Sequence, residues 1–221
     1  MTDKLEKMND FFTARLDTYE EHMLSNGGYE SYIKLAAQIP ENTGRILDLG
    51  CGTGLELDEI YKRLPQVSVV GIDMTPVMLE KLRQKHPHRE IELICGDYFN
   101  VRLGENTFDV AISAWTLHHF SYLQKIQLYT KIREALRPGG MYIELDYMAA
   151  DQSFEDARYA ANARLRRELD VPEGAFYHFD TPCTVDNQIA MLKQAGFITA
   201  EPENRWEHGA IIVSTRALCQ K

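Results

Sequence analysis

The chain has 221 residues, 44% of them hydrophobic, enough for a substantial α/β core with extra helices. Its formal net charge of −9 argues against broad electrostatic attachment to nucleic acid or anionic membrane, and leaves a small molecule as the default ligand. Cys51, Cys95, Cys183 and Cys219 lack any Cys-x-x-Cys spacing, no apolar run approaches a membrane span, and the first residues are charged rather than signal-like; reduced thiols and a soluble, cytoplasmic protein are expected.

In chain order, apolar side chains recur from Leu5 at Met8, Phe12, Leu16, Tyr19 and Met23, the spacing of one amphipathic helix stopped by Gly27-Gly28. A second short helix carries Tyr32, Leu35, Ala36 and Ile39 and ends at Pro40. Neither belongs in a parallel sheet, so residues 1–40 are expected to lie as a helical cover on a cofactor-binding core spanning 41–148.

That core alternates strand and helix. Residues 46–49 read as a short buried strand, 55–64 as the helix after a glycine turn, and 67–72 as a β-branched run, the pattern of an interior parallel strand covered on both faces. Thr75 and Pro76 suit the N-cap and first turn of a helix to about Lys85. Strands follow at 91–95 and 108–113. Ser121 can cap a helix carrying Ile126, Tyr129, Ile132 and Leu136, and Arg137-Pro138-Gly139-Gly140 makes the turn into a fifth strand at 141–145. Beyond Met148, residues 151–169 read as a polar helix and 171–182 as an aromatic-rich loop without a strand partner, together an insert over 149–183. In the closing segment, 184–221, Thr184 caps a helix that Gly196 stops, and runs at 197–201 and 210–214 can finish the sheet with an antiparallel return.

The chemistry centres on Asp48-Leu49-Gly50-Cys51-Gly52-Thr53-Gly54. Alternating glycines accept positive φ, let backbone approach a ligand closely and leave N–H groups free at a helix start. Phosphate is the usual occupant of such a turn, but a carboxylate at its mouth repels pyrophosphate and favours a cation. Later strands also end at or near acids, Asp73, Asp97 and Asp146. Asp73 follows the turn by about twenty residues, the spacing at which a carboxylate takes ribose hydroxyls. Asp97, beside Tyr98, can accept from an adenine amino group while Met74 packs on the base. Together they describe an adenosine-bearing cation.

Residues 46–54 resemble the first motif of the class I S-adenosylmethionine-dependent methyltransferases. Val70-Gly71-Ile72-Asp73 resembles that family's ribose-binding strand end, Cys95-Gly96-Asp97 its adenine-binding one, and Leu136-Arg137-Pro138-Gly139-Gly140 the turn before its fifth strand. The resemblance implies an α/β, Rossmann-like seven-stranded sheet, mostly parallel, with helices on both faces and an antiparallel C-terminal strand, here under an N-terminal helical cover and a lid insert. It implies S-adenosylmethionine as cofactor and a small-molecule methyl acceptor. Asp48 and the backbone of Gly50, Cys51, Gly52 and Gly54 would surround the methionine part, Asp73 the ribose, Met74, Asp97 and Tyr98 the adenine, and Ser113, Ala114 and Trp115 the sulfonium side. Tyr19 resembles an N-terminal tyrosine that many members fold over the cofactor.

Two rivals use the same residues: a cofactor-binding protein without methyl transfer, and a nicotinamide-dependent oxidoreductase. The latter wants Gly-x-Gly-x-x-Gly, and its third glycine falls on Leu55. His118 and His119, past the fourth strand, are candidate general bases, although adjacent histidines point different ways and one is expected only to pack. His118, Glu144, Asp146 and His178 are suitable metal-ligand types, but no spacing enforces a site and no metal is expected. Phe176-Tyr177-His178-Phe179 suits a lid, which places Asp146, Tyr147, Phe176, Tyr177 and His178 on the acceptor side. A monomer or homodimer, with neither nucleic-acid nor membrane partner, completes the expectation.

Overall fold

The computed structural model describes residues 4–25, 28–172 and 174–218. A two-residue strand β1 (Glu6–Lys7) precedes helices α1 (Met8–Ala14), α2 (Leu16–Leu24) and α3 (Gly28–Gln38). Strand β2 (Arg45–Leu49) passes through the glycine turn into α4 (Leu55–Arg63), followed by β3 (Ser68–Asp73), α5 (Pro76–Lys85), β4 (Ile91–Cys95), β5 (Phe108–Ala114), α6 (Tyr122–Ala135) and β6 (Leu136–Tyr147). The insert holds α7 (Gln152–Glu168) and β7 (Tyr177–His178), and α8 (Val185–Gln194), β8 (Thr199–Trp206) and β9 (Gly209–Thr215) close the chain. Among the described residues no helix is long and apolar enough to cross a membrane.

Seven strands form one sheet in the order β4-β3-β2-β5-β6-β9-β8. The first five run parallel, and β9 lies antiparallel between β6 and β8. This is the expected Rossmann-like arrangement, and its physical cause is legible in the strands. Period two sends Leu47, Leu49 and Val70 to one face, against Tyr129 and Ile132 of α6 and Leu192 of α8. Ile46, Val69 and Ile112 face the other way, onto Leu35 of α3 and Ile60 of α4. The chain steps outward from β2 to β4 and then returns to β5 on the far side of β2. That reversal opens a crevice at the carboxyl ends of the strands, where ligands of such sheets bind.

Several local expectations need correction. The first helix is two, because the backbone leaves helical geometry at Arg15, whose guanidinium reaches back to Glu6 at 3.3 Å and lies over the Phe11 ring. The break turns α2 so that Tyr19 faces the glycine turn. Gly28 opens α3 instead of closing the helix before it, and Gly27 and Cys219 lie outside the described residues. The aromatic loop does pair: Tyr177 and His178 form an antiparallel bridge with Lys7 and Glu6, and Met8 N donates to Phe176 O at 3.1 Å. A two-residue strand is too short to show alternation, so neither half announces itself. Strand β6 begins at Leu136, with the 137–140 turn absorbed as a register shift opposite β5. Thr75 caps nothing with its side chain; its own N–H donates to Asp73 Oδ1 at 2.8 Å. The caps at Ser121, a full capping box with Gln124, and at Thr184 form as expected.

Candidate active site

A cavity of about 620 Å³, counting space open to solvent, sits at the carboxyl ends of β2, β3, β4 and β5. Its floor is Gly50 and Gly52, with φ of 72° and 46°. A Cβ on Gly50 would collide with the Thr116 side chain, and one on Gly52 would stand 3.5 Å from the Tyr19 hydroxyl, in ordinary contact, so Tyr19 closes directly over bare backbone there.

Asp73 fixes that floor. Its Oδ2 accepts from Gly52 N at 3.0 Å while Oδ1 holds Thr75 N, tying the glycine turn to the end of β3. Burial raises its pKa, and the two backbone N–H groups work against the rise. Met74, Asp97 and Tyr98 line the next part of the wall. Asp97 accepts from Phe99 N at 2.8 Å, an Asx-type turn that presents the residue at the rim after β4. Ala114 and Trp115 follow β5, and Trp115 holds φ at 55°, a costly conformation for a bulky residue, pinned by its N–H donating to Leu145 O at 2.8 Å. The roof is Met8, Phe12 and Tyr19 from α1 and α2, and Phe176 from the insert, stacked 5.7 Å from Phe99.

Asp48 is not at the mouth. The period of β2 places it on the Ile46 face, toward α4, where it is 1% exposed beside buried Glu56. Neither Asp48 oxygen, nor Glu56 Oε1, meets a hydrogen-bond donor among the described groups. Burial, then the Glu56 charge, pushes Asp48 well above the carboxylate range; burial lifts Glu56 to about 7. Two buried carboxyls in contact share a proton when no cation is near.

The other residues outside the cavity lining are placed by packing. Cys51 lies beneath Gly71, whose missing Cβ makes room for its Sγ, and Gly54 starts α4 against Leu82. Ser113 is buried in a 2.7 Å hydrogen bond with Tyr142. His118 donates no group to the cavity: its Nδ1 meets Asp146 Oδ1 at 2.5 Å, and the other Asp146 oxygen accepts from Leu117 N at 3.1 Å. Asp146 is therefore buried against His118 and Leu117 and does not face an acceptor. Burial opposes charge on His118, but Asp146 outweighs it and raises the pKa. His119 does line the cavity, and burial, reinforced by His118 and His178, drives its pKa well down. Tyr147 packs edge-on to His118, Tyr177 sits in β7, and His178 stacks on Phe11 at 3.4 Å. Of the acceptor-side candidates, only Phe176 reaches the cavity.

Residues that sequence reasoning missed are mostly roof and joint. Met8 and Phe12 read as a core stripe, and nothing in their spacing separates a roof from a core. Thr116, by contrast, directly follows the flagged Trp115 and completes that wall through a 3.3 Å contact with the Tyr98 hydroxyl.

A methyltransferase-domain family model matches residues 46–140, the span holding every strand end at the cavity floor. A carboxy-S-adenosyl-L-methionine synthase of Trichodesmium erythraeum is 31% identical over 166 residues, covering 69% of this chain and 65% of that protein. A demethylmenaquinone methyltransferase of Chlamydia trachomatis is 28% identical over 144 residues, 63% of this chain and 62% of its own length. The chain thus spans less than two thirds of either relative. Human N-acetylserotonin methyltransferase, solved in complex with S-adenosylmethionine, shares the fold at a TM-score of 0.66 and 18% identity, over 91% of this chain and 55% of that one.

Proposed function

We propose that the chain, which a methyltransferase-domain family model matches over residues 46–140, is a class I S-adenosylmethionine-dependent methyltransferase that binds S-adenosylmethionine in this cavity and transfers the methyl group to a small-molecule acceptor. The observation that carries the reading is a deficit of positive charge. Asp48, Glu56 and Asp73 gather around the glycine turn, and among the described residues the cavity lining includes no lysine or arginine. Lys85, whose charge reaches Glu56, is engaged by Asp58 and Glu20 at 2.8 and 3.3 Å, and Lys131 by the Tyr98 and Phe99 carbonyl oxygens at 2.8 Å each. A ligand carrying an ammonium and a sulfonium supplies the missing charge.

On this reading the Asp73 oxygens, each already accepting one backbone N–H, keep lone pairs for ribose hydroxyls. Met74 and Tyr98 pack the base, with Asp97 at its polar edge. Tyr19, Gly50 and Gly52 enclose the methionine end, and Asp48 acts from beneath the turn through its charge rather than by contact. Bound there, the cofactor supplies a methyl group on a positively charged sulfur. The chain itself orients the partners and excludes water, the two effects that dominate when the nucleophile is already reactive. The aromatic roof serves the second. With its pKa driven down, His119 is a weak base, and His118 is turned away to Asp146, so neither is assigned proton abstraction.

A second reading follows from the Trichodesmium erythraeum relative, whose name is that of a synthase of carboxylated cofactor. It would need an anionic carboxyl source, and the acidic, cation-free lining disfavours one. Incubation with methyl-labelled cofactor and a metabolite pool, followed by mass spectrometry, separates the two. Label on an acceptor together with S-adenosylhomocysteine supports methyl transfer; label retained on a heavier, carboxylated cofactor supports the synthase, and no product of either kind overturns both.

A further inference from the structure

Four groups that cofactor binding leaves unused converge beside the cavity. His118 and His119 lie on the 3₁₀ turn Leu117–His119 after β5, and His178 and Asp180 come from the insert. Asp180 Oδ1 is sealed from solvent and has no hydrogen-bond partner. Yet His119 Nδ1 stands 3.5 Å from it, His118 Nε2 3.6 Å and His178 Nε2 3.9 Å. These separations are long for N–H···O bonds. They are close to the spacing of neighbouring ligand atoms about a tetrahedral ion, about 3.3–3.4 Å for metal–ligand bonds of about 2.0–2.1 Å.

His118 is also held as a ligand would be. Nδ1 meets Asp146, so the tautomer that donates to that carboxylate turns its Nε2 lone pair toward Asp180, and a carboxylate behind a ligating imidazole is the usual outer partner of metal-bound histidine. His119 Nδ1 lies 3.3 Å from Phe179 O as well, a long contact that ligation would replace. We propose that His118, His119 and Asp180, with His178 as a further donor within reach, bind a divalent transition-metal ion of the zinc type. The ligand set differs from the one considered from sequence, and it reverses the expectation of no metal. Glu144 is spent on the Tyr129 hydroxyl, at 3.0 and 3.1 Å, and Asp146 stands behind His118 instead of beside the ion. His119 is the member that lines the cavity, so the ion is placed to meet an oxygen of the acceptor. That role rests on the methyl-transfer reading; metal binding does not.

The test uses the full chain, stripped with a chelator, without cofactor. Cobalt(II) serves as the optical probe and zinc(II) as the competitor, with calorimetry for stoichiometry. One equivalent of cobalt should bind with the intense visible bands of four-coordination and be displaced by zinc. Asp180→Asn and His118→Gln should each weaken binding at least a hundredfold, Asp146→Asn by about 10–100-fold, and exposed His88→Gln not at all. Circular dichroism checks that the variants fold, and a zinc-dependent rise in the wild-type melting temperature provides a measurement that needs no variant. Absence of saturable binding and of that rise, or binding indifferent to both Asp180→Asn and His118→Gln, overturns the proposal. Calorimetry with S-adenosylhomocysteine on the same metal-free preparation keeps the failures apart: a chain that binds it but no metal loses this site alone, and the converse loses the cofactor reading alone.

Discussion

The floor and the roof of the cavity are made by different kinds of interaction. Every floor residue sits at the end of its own strand or in the turn after it, and the sheet that holds those ends is buried on both faces. The roof joins segments from opposite ends of the chain through small contacts: a two-residue strand pair, one Met8 to Phe176 hydrogen bond, and the Phe11 ring on His178. Helix α2, which carries Tyr19, has no fully buried residue. Low local burial marks the parts of a fold that open first. The difference separates the two parts by what holds them: the floor rests on the buried sheet, and the roof on a few contacts between distant segments, which makes the roof the part expected to open first.

The largest effect should come from the floor. Asp73→Ala removes the proposed ribose acceptor and strands the N–H groups of Gly52 and Thr75, each worth about 1–3 kcal/mol if left unpaired. Affinity for S-adenosylhomocysteine should fall more than tenfold in calorimetry and the melting temperature by several degrees, with secondary structure retained. Undiminished affinity would sink the ribose assignment.

What the sequence made legible divides along the same line. Asp73, Asp97 and the glycine turn could be placed because strand periodicity and turn chemistry are local properties. Asp48 in the same stretch does not lie where the glycine turn alone suggests: the period of two puts it on the Ile46 face, buried toward α4 and not at the mouth. The roof was legible only as composition. The aromatic loop reads as a lid, but its partner strand is two residues at the other end of the chain. The convergence of His118, His119 and Asp180 likewise joins two segments that no spacing links.

A second, intermediate effect tests the floor by pH. Glu56 titrates at about 7 when folded against an ordinary 4.5, so the folded state binds the proton more tightly than the unfolded chain does. Without cofactor, stability should be greatest below the unfolded pKa and decline as pH rises from about 4.5 through about 7. A cation above the glycine turn favours the ionised pair. Cofactor binding should therefore release a proton, and affinity should strengthen severalfold as pH rises through about 7. Glu56→Gln should flatten the affinity profile and make the stability profile shallower, the remaining slope coming from buried Asp48 and Glu144, whose pKa values burial also raises, as measured by calorimetry in buffers of different ionisation enthalpy and by melts across pH. An affinity profile that keeps its slope in this variant would place the group coupled to the cofactor elsewhere.

The smallest effect belongs to the roof and is local. Phe11 stacks on His178 at 3.4 Å with the rings 9° from parallel, and the Arg15 guanidinium lies over its outer face at 3.7 Å. A stacked pair is worth about 0.5–1.5 kcal/mol beyond its buried area, so in Phe11→Ala hydrogen exchange around residues 176–180 should accelerate about 2–10-fold. The melting temperature and exchange in β2 and β3 should barely move, because the sheet does not depend on the roof being closed. Release of S-adenosylhomocysteine should quicken in the same variant while its association rate stays within a few-fold. Acceleration of equal size in β2 and β3 would mean that roof and floor open as one unit, and the division of labour drawn from their contacts would be wrong.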